Sequence, residues 1–162
     1  MSVTDDLIEN NQRYAESFAG PASGRPTLGV AIVACMDARM DVYAMLGLTP
    51  GQAHVIRNAG GEVTEDALRS LTISQHELGT TEVILIHHTQ CGMQTFTNKD
   101  FKAELLAETG HKPHWATRAF TDVDADVRKS IRLVKESPFL AHTHSVRGFV
   151  FDVTSGKLRE VS

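Results

Sequence analysis

Apolar positions along this chain follow two different periods. Leu28 to Ala34 and Val83 to Ile86 are continuous apolar, largely β-branched runs; Ala53 to Arg57 and Val146 to Val153 carry the same bias. Runs of that length without polar alternation predict strands covered on both faces, as in a parallel sheet. The third of these strands is expected to span Glu82 to His88.

Between the strands the period becomes helical. Thr4, with Asp5 and Asp6 behind it, reads as an N-cap and acidic first turn; Leu7, Ile8, Tyr14, Ala15 and Phe18 then recur at helical spacing up to Gly20-Pro21. Asp41 to Leu46 predicts a short helix stopped by Gly47, and Thr64 caps a helix whose stripe runs Ala67, Leu68, Leu71, Gln75 and Leu78 before Gly79. Met93 to Glu108 reads as helical in part, weakest across Thr95–Lys99. Thr121 to Glu136 is the clearest amphipathic helix: Asp122, Asp124 and Asp126 start it and Arg128, Lys129, Arg132 and Lys135 end it, the order the helix dipole favours. Those charges read as a solvated face rather than a binding face. Segment 21–26, Thr49-Pro50-Gly51 and 111–115 are loops. Gly60-Gly61 permits positive φ or a close backbone approach, and Ser155-Gly156 turns the chain into Leu158–Val161.

Strands alternating with helices predict an α/β fold on a mainly parallel sheet flanked by helices. We expect a single domain over residues 1–162, with residues 1–26 forming a helical arm and linker. The loop after the arm leaves it free to pack on a partner subunit. A net charge of −4, from 16 basic and 20 acidic residues with no basic run, gives no support to a nucleic-acid or membrane-surface role. The first residues carry no secretory pattern, and no apolar run approaches the ~20 residues a bilayer requires, so the expected location is cytoplasmic.

The chain has 2 cysteines, and each lies just past a buried strand: Cys35 after the first, Cys91 after the third. In a cytoplasmic chain they are thiols, metal ligands or catalytic groups before they are a structural disulfide. In a parallel sheet, ligands bind outside the carboxyl ends of the strands, where Cys35, Asp37, Arg39, His88 and Cys91 all fall. Cys35, His88 and Cys91 offer zinc the soft thiolate and imidazole donors it prefers, and three protein ligands leave a fourth position open, as catalytic zinc requires. If the segment after Cys35 stays extended, Cys35, Asp37 and Arg39 point the same way. Arg39 can then hold Asp37 in a bidentate pair, where it could orient a water or hydroxide on the metal. Released by Arg39, Asp37 could become the fourth ligand and close the site. The bland alternatives are two buried thiols beside a packed imidazole, a surface ion pair worth ~0–1 kcal/mol, and a metal-binding His142-x-His144 pair.

In their order and gaps, Cys35-x-Asp37-x-Arg39, Arg57-Asn58-Ala59-Gly60 and His88-x-x-Cys91-Gly92 resemble the successive signatures of β-class carbonic anhydrases, from about Leu28 to Gly92. The resemblance implies one Zn²⁺ per chain on Cys35, His88 and Cys91, an Asp37–Arg39 catalytic dyad with Asp37 able to ligate zinc in a closed form, and reversible hydration of CO2 to bicarbonate and a proton. It also implies a homodimer or homotetramer in which the N-terminal helix reaches over its partner. Glycines 60 and 92 would help shape the pocket. Within the family the chain is similar to a compact branch typified by His87-His88-Thr89-x-Cys91-Gly92-Met93. That branch would carry Asp at positions 52 and 90, where this chain has Gln52 and Gln90, and both changes are expected to remove a charge near the site. The same branch resembles carbonyl sulfide and carbon disulfide hydrolases, whose substrates are linear triatomics like CO2. A non-catalytic zinc- or anion-binding protein is the further alternative.

Overall fold

The computed structural model describes residues 2–162. Helix α1 spans Val3–Glu16. Its N-cap is Ser2 rather than Thr4. The Ser2 hydroxyl accepts from the Asp5 N–H, and the Asp5 carboxylate accepts from the Ser2 N–H at 2.8 Å. A capping box needs an acid or amide three residues past the cap; Asp5 stands there for Ser2, whereas Thr4 has Leu7. Strand β1 (Val30–Cys35) begins later than the apolar run, because Gly29 turns the chain at φ +64° and leaves Leu28 exposed. Helix α2 (Val42–Leu46) is capped by Asp41 and stopped by Gly47 in the left-handed region. Strand β2 is Ala53–Asn58, and Thr64 caps α3 (Glu65–His76). Strand β3 spans Glu82–His88, as expected.

The weak helical stretch after Cys91 resolves into two pieces. A turn of 3-10 helix covers Gly92–Gln94, and α4 (Asn98–Thr109) starts afresh under a Thr97 cap. Asp122 caps α5 (Val123–Lys135) by accepting from the N–H groups of Asp124 and Ala125. Strand β4 is Val146–Phe151, ending short of Val153, whose N–H turns to the Thr89 hydroxyl at 3.1 Å. Strand β5 is Leu158–Val161.

The sheet runs β2-β1-β3-β4-β5, with the first four strands parallel and β5 antiparallel to β4. Both faces are covered, which explains why β1 shows no polar alternation. Ile32 and Ala34 pack on one side with Met40, Val42, Ile86 and Phe151, while Ala31 and Val33 pack on the other with Leu71 of α3 and Val134 of α5. Helix α5 approaches β4 most closely at Gly148, where a Cβ would lie 2.3 Å from the Val127 side chain and 2.8 Å from Ile131. Helix α1 stands apart, with no residue buried; Leu7, Ile8 and Tyr14 on it and Phe18 just past its end are exposed. Among the described residues no helix is long and apolar enough to cross a membrane.

Two substitutions test this packing by thermal or urea unfolding. Leu71→Ala empties a fully buried position and should cost about 2–5 kcal/mol. Gly148→Ala should cost about 1–3 kcal/mol by overpacking the α5–β4 contact.

Candidate metal centre

Parallel pairing of β1 with β3 sets Ala34 opposite Ile86, so the two strands end at the same edge of the sheet. Cys35 closes β1 and His88 closes β3. A tight turn through Thr89 and Gln90 returns Cys91 to the same place. The ligand atoms of Cys35, His88 and Cys91 all lie within 4.8 Å of one another, and all three residues are buried. Among the described residues no other set of three His, Cys, Asp or Glu side chains comes together in this way. Both cysteines are free thiols.

Proton positions suit a metal. His88 Nδ1 faces the Thr89 carbonyl at 2.9 Å; a carbonyl can only accept, so Nδ1 carries the hydrogen. Nε2 is then a lone pair, buried, without a hydrogen-bond partner, and aimed at the two thiols. Cys35 is pushed down, chiefly because the Cys91 thiol hydrogen-bonds to it; Cys91 is pushed up by that same bond and by burial. Two cysteine sulfurs, which bind zinc as thiolates, and an unpartnered imidazole nitrogen are the donor set of a zinc site with an open fourth position.

Asp37 lies beside this cluster without joining it. Its Oδ2 is 3.7 Å from His88 Nε2. Arg39 holds it there: Nε donates to Oδ1 at 2.9 Å, Nη2 to Oδ2 at 2.8 Å, and the Arg39 backbone N–H to Oδ1 at 2.9 Å. The Arg39 hydrogen bonds keep the Asp37 carboxyl well below the usual carboxylate range. The pair therefore forms as expected, but by a different route. The segment does not stay extended: the Met40 N–H reaches back to the Asp37 carbonyl at 3.0 Å, and the resulting turn folds Arg39 onto Asp37.

Several contributors escaped the reading of the sequence. Arg57 donates to the Cys35 carbonyl at 2.9 Å and to the Asp37 carbonyl at 2.7 Å, clamping the segment between them. Gln90, left-handed at φ +55°, turns its carbonyl to accept from Arg39 Nη2 at 3.1 Å. Gly61 presses against the strand ends, where a Cβ would lie 2.9 Å from both the Cys35 nitrogen and the Ile86 oxygen. The Arg57-Asn58-Ala59-Gly60 motif marked this region without disclosing what each residue touches. The expectation for Gln52 needs correction. Its side chain accepts from the Thr49 N–H at 2.8 Å in the turn before β2, at the opposite end of that strand from Asn58 and the site. The remaining histidines serve elsewhere: His54 bonds Ser74, His76 bonds the Phe139 carbonyl, and His142 and His144 meet edge-on.

Above the cluster opens a cavity of about 410 Å³. Cys35, Asp37 and Cys91 line it beside Met36, Ala59, Gly60, Met93 and Phe96, so its walls are mostly apolar.

Comparison with known proteins agrees with this geometry. Residues 30–158 match the carbonic anhydrase family. The chain is 56% identical to Beta-carbonic anhydrase 1 of Mycobacterium tuberculosis, over 100% of this chain and 99% of that one. It is 33% identical to the carbon disulfide hydrolase of Saccharolobus solfataricus, over 80% of this chain and 75% of that one. Among solved structures, the carbonic anhydrase of Streptococcus mutans superposes with a TM-score of 0.94 at 42% identity, covering 100% of this chain and 99% of its own. With its parallel sheet, its paired strand ends and its relatives over the full length, the chain belongs to the β-class carbonic anhydrases.

Proposed function

We propose that this chain is a zinc-dependent carbonic anhydrase, interconverting CO2 and bicarbonate, with Cys35, His88 and Cys91 as the metal ligands and Asp37 and Arg39 as the catalytic dyad. The observation that carries the reading is the buried, unpartnered Nε2 of His88 facing two thiols at the carboxyl edge of the sheet. When bound there, zinc supplies a Lewis acid that lowers the pKa of water from 15.7 to about 7 and so provides a nucleophile near neutral pH.

The protein's own groups do the rest. The Thr89 carbonyl fixes the His88 tautomer so that Nε2 is free for the metal. Asp37 stays ionised and accepts a hydrogen bond from the attacking oxygen, orienting its remaining lone pairs toward CO2. Arg39 keeps Asp37 in that posture and off the metal. Met36, Met93 and Phe96 give the linear, apolar substrate a dry wall. Hydration of carbon disulfide or carbonyl sulfide by the same site is the second reading, favoured by hydrolase relatives such as the one 33% identical, and outweighed by the anhydrase relative at 56%.

The exposed apolar residues of the arm, Leu7, Ile8 and Tyr14 in α1 and Phe18 just past its end, call for a cover. We read the chain as one cytoplasmic domain, residues 1–162, whose arm of residues 1–26 lies on a second copy, giving a homodimer or a homotetramer. Replacing Leu7 and Phe18 by Asp should yield monomer by sedimentation; an unchanged oligomer would remove the arm from the interface.

Stopped-flow CO2 hydration and metal analysis test the chemistry. Cys35→Ser and Cys91→Ser should lose stoichiometric zinc, and retention would overturn the ligand assignment. Asp37→Asn should keep zinc but lower turnover by about a hundredfold. Because Asp37 is held below its ordinary 3.8, the stabilising pair is complete above that pH and is lost only as pH falls through the lowered value. Wild-type turnover should therefore persist across the neutral range. Arg39→Ala, by freeing Asp37 to occupy the open position, should confine turnover to alkaline pH.

A further inference from the structure

Behind the candidate metal centre lies a second buried cluster that the mechanism does not use. Glu62 is 1% exposed and Asp126 of α5 is 5% exposed. Three further charged or titratable groups face them, His87 from β3, Lys129 from α5 and Arg118 from the loop before α5, and each carboxyl faces the other. The two carboxyls are not treated alike. Asp126 Oδ1 accepts from Lys129 Nζ at 3.0 Å, a true hydrogen-bonded ion pair. Glu62 has cations only beyond hydrogen-bonding distance, Lys129 at 3.6 Å and Arg118 at 3.7 Å, and neither of its oxygens has a partner.

A buried carboxylate without hydrogen bonds is costly, whereas a buried carboxylic acid needs only one acceptor. Asp126 stands beside Glu62 on the same lysine and can be that acceptor. The titration bias agrees: burial first, and then the Asp126 carboxyl, push Glu62 from 4.5 up to about 8. Burial raises Asp126 as well, but Glu62 and Lys129 outweigh it and hold Asp126 down.

The cluster touches the metal centre through the backbone. Glu62 ends a turn that Asn58 brackets: the Asn58 side chain donates to the Glu62 carbonyl at 2.8 Å and accepts from the Glu62 N–H at 2.8 Å. Inside the turn, the Gly61 carbonyl accepts from His87 Nε2 at 3.1 Å, and Asp126 Oδ2, itself without a hydrogen-bond partner, lies 3.6 Å from Nδ1 of the same ring. Phe120 stacks on that ring, with centroids 5.8 Å apart. On its other side the turn presses on the end of β1, where a Cβ on Gly61 would lie 2.9 Å from the Cys35 nitrogen.

We infer that Glu62 and Asp126 form a buried carboxyl pair sharing one proton, and that together they are positioning residues, holding the 58–62 turn against Cys35. The inference rests on the reading of Cys35 as a metal ligand. Glu62 supplies the anchor at the end of the turn, and Asp126 supplies the acceptor for Glu62 and the backing for His87. Glycines at the centre of the turn, Gly60 at φ +86° and Gly61 at φ +70°, have no side chains to pack, so beyond the Asn58 bracket the support comes from behind.

Glu62→Gln keeps the shape and a donor, imitating the protonated acid; Glu62→Ala removes the anchor. Zinc affinity by chelator competition should fall about tenfold or more in Glu62→Ala and return to near wild type in Glu62→Gln. Zinc binding in Glu62→Gln as weak as in Glu62→Ala, or undiminished in Glu62→Ala, overturns the proposal. A direct readout needs no metal. Wild type should show the infrared carbonyl band of a protonated carboxylic acid at neutral pH, fading as pH passes about 8 and absent from Glu62→Gln. Its absence from wild type overturns the shared proton. The sign of the stability change is fixed too. Folded protein keeps a proton that the unfolded chain releases, so the melting temperature of wild type, relative to Glu62→Gln, should fall as pH rises from 4.5 to about 8. Parallel curves overturn the pair. Wild-type protein without stoichiometric zinc overturns the ligand reading instead, and the infrared band then decides the pair by itself.

Discussion

The parallel pairing of β1 with β3 is the constraint on which the rest of the structure depends. Its register brings Ala34 level with Ile86, so that Cys35 leaves one strand where His88 ends the other. A slip of one residue would turn each side chain to the opposite face of the sheet and part the thiol from the imidazole. The register is safe because both faces are buried: Ile32 and Ala34 pack on one side, Ala31 and Val33 on the other. Core packing on both sides of a strand thus sets the distance between groups that lie beyond its end.

The strands place the candidate ligands, but the loops set their chemistry. The 89–90 turn brings Cys91 back to His88, gives His88 the Thr89 carbonyl that settles its tautomer, and gives Arg39 the Gln90 carbonyl. The turn after Cys35 folds Arg39 onto Asp37, and Arg57 ties down the carbonyls on either side. Asp37 sits 3.7 Å from the imidazole nitrogen under a bidentate guanidinium. A carboxylate so close to a metal position has two possible partners, and it binds the one whose hydrogen bonds are already complete. The arginine is what keeps Asp37 out of the cluster.

Much of this was legible in the sequence. Unbroken β-branched runs gave the parallel strands, because burial on both faces leaves no place for polar alternation. The placement of Cys35, His88 and Cys91 just past two such strands gave the cluster, because parallel strands end at a common edge. Contacts made by backbone carbonyls were hidden. Nothing in the residue type of Gln90 says that its carbonyl faces Arg39, and nothing in Arg57 names the two carbonyls it holds. Gln52 misled for a related reason: nearness in sequence to a strand does not say which end of the sheet a residue serves. The α1 cap was misplaced because Thr4 is a plausible cap in isolation, whereas the reciprocal bond with Asp5 belongs to Ser2.

The buried acids were the hardest to foresee, for a physical reason. Asp126 opens an amphipathic helix whose charges follow the dipole, and on that pattern it reads as solvated. It is instead one of the few polar residues on the covered side of α5, with Ser130. Helical periodicity ranks positions by hydrophobicity, so a functional carboxyl on the inner face looks like noise in the stripe. A carboxyl in that position needs a partner, and Glu62 and Lys129 on one side and His87 on the other supply it. The metal centre then rests on two layers of different material. In front are soft donors fixed by strand ends and carbonyls; behind is a polar cluster that α5 carries in as it packs on β3 and β4. A helix that stays behind the candidate centre can in this way influence how Cys35 is held.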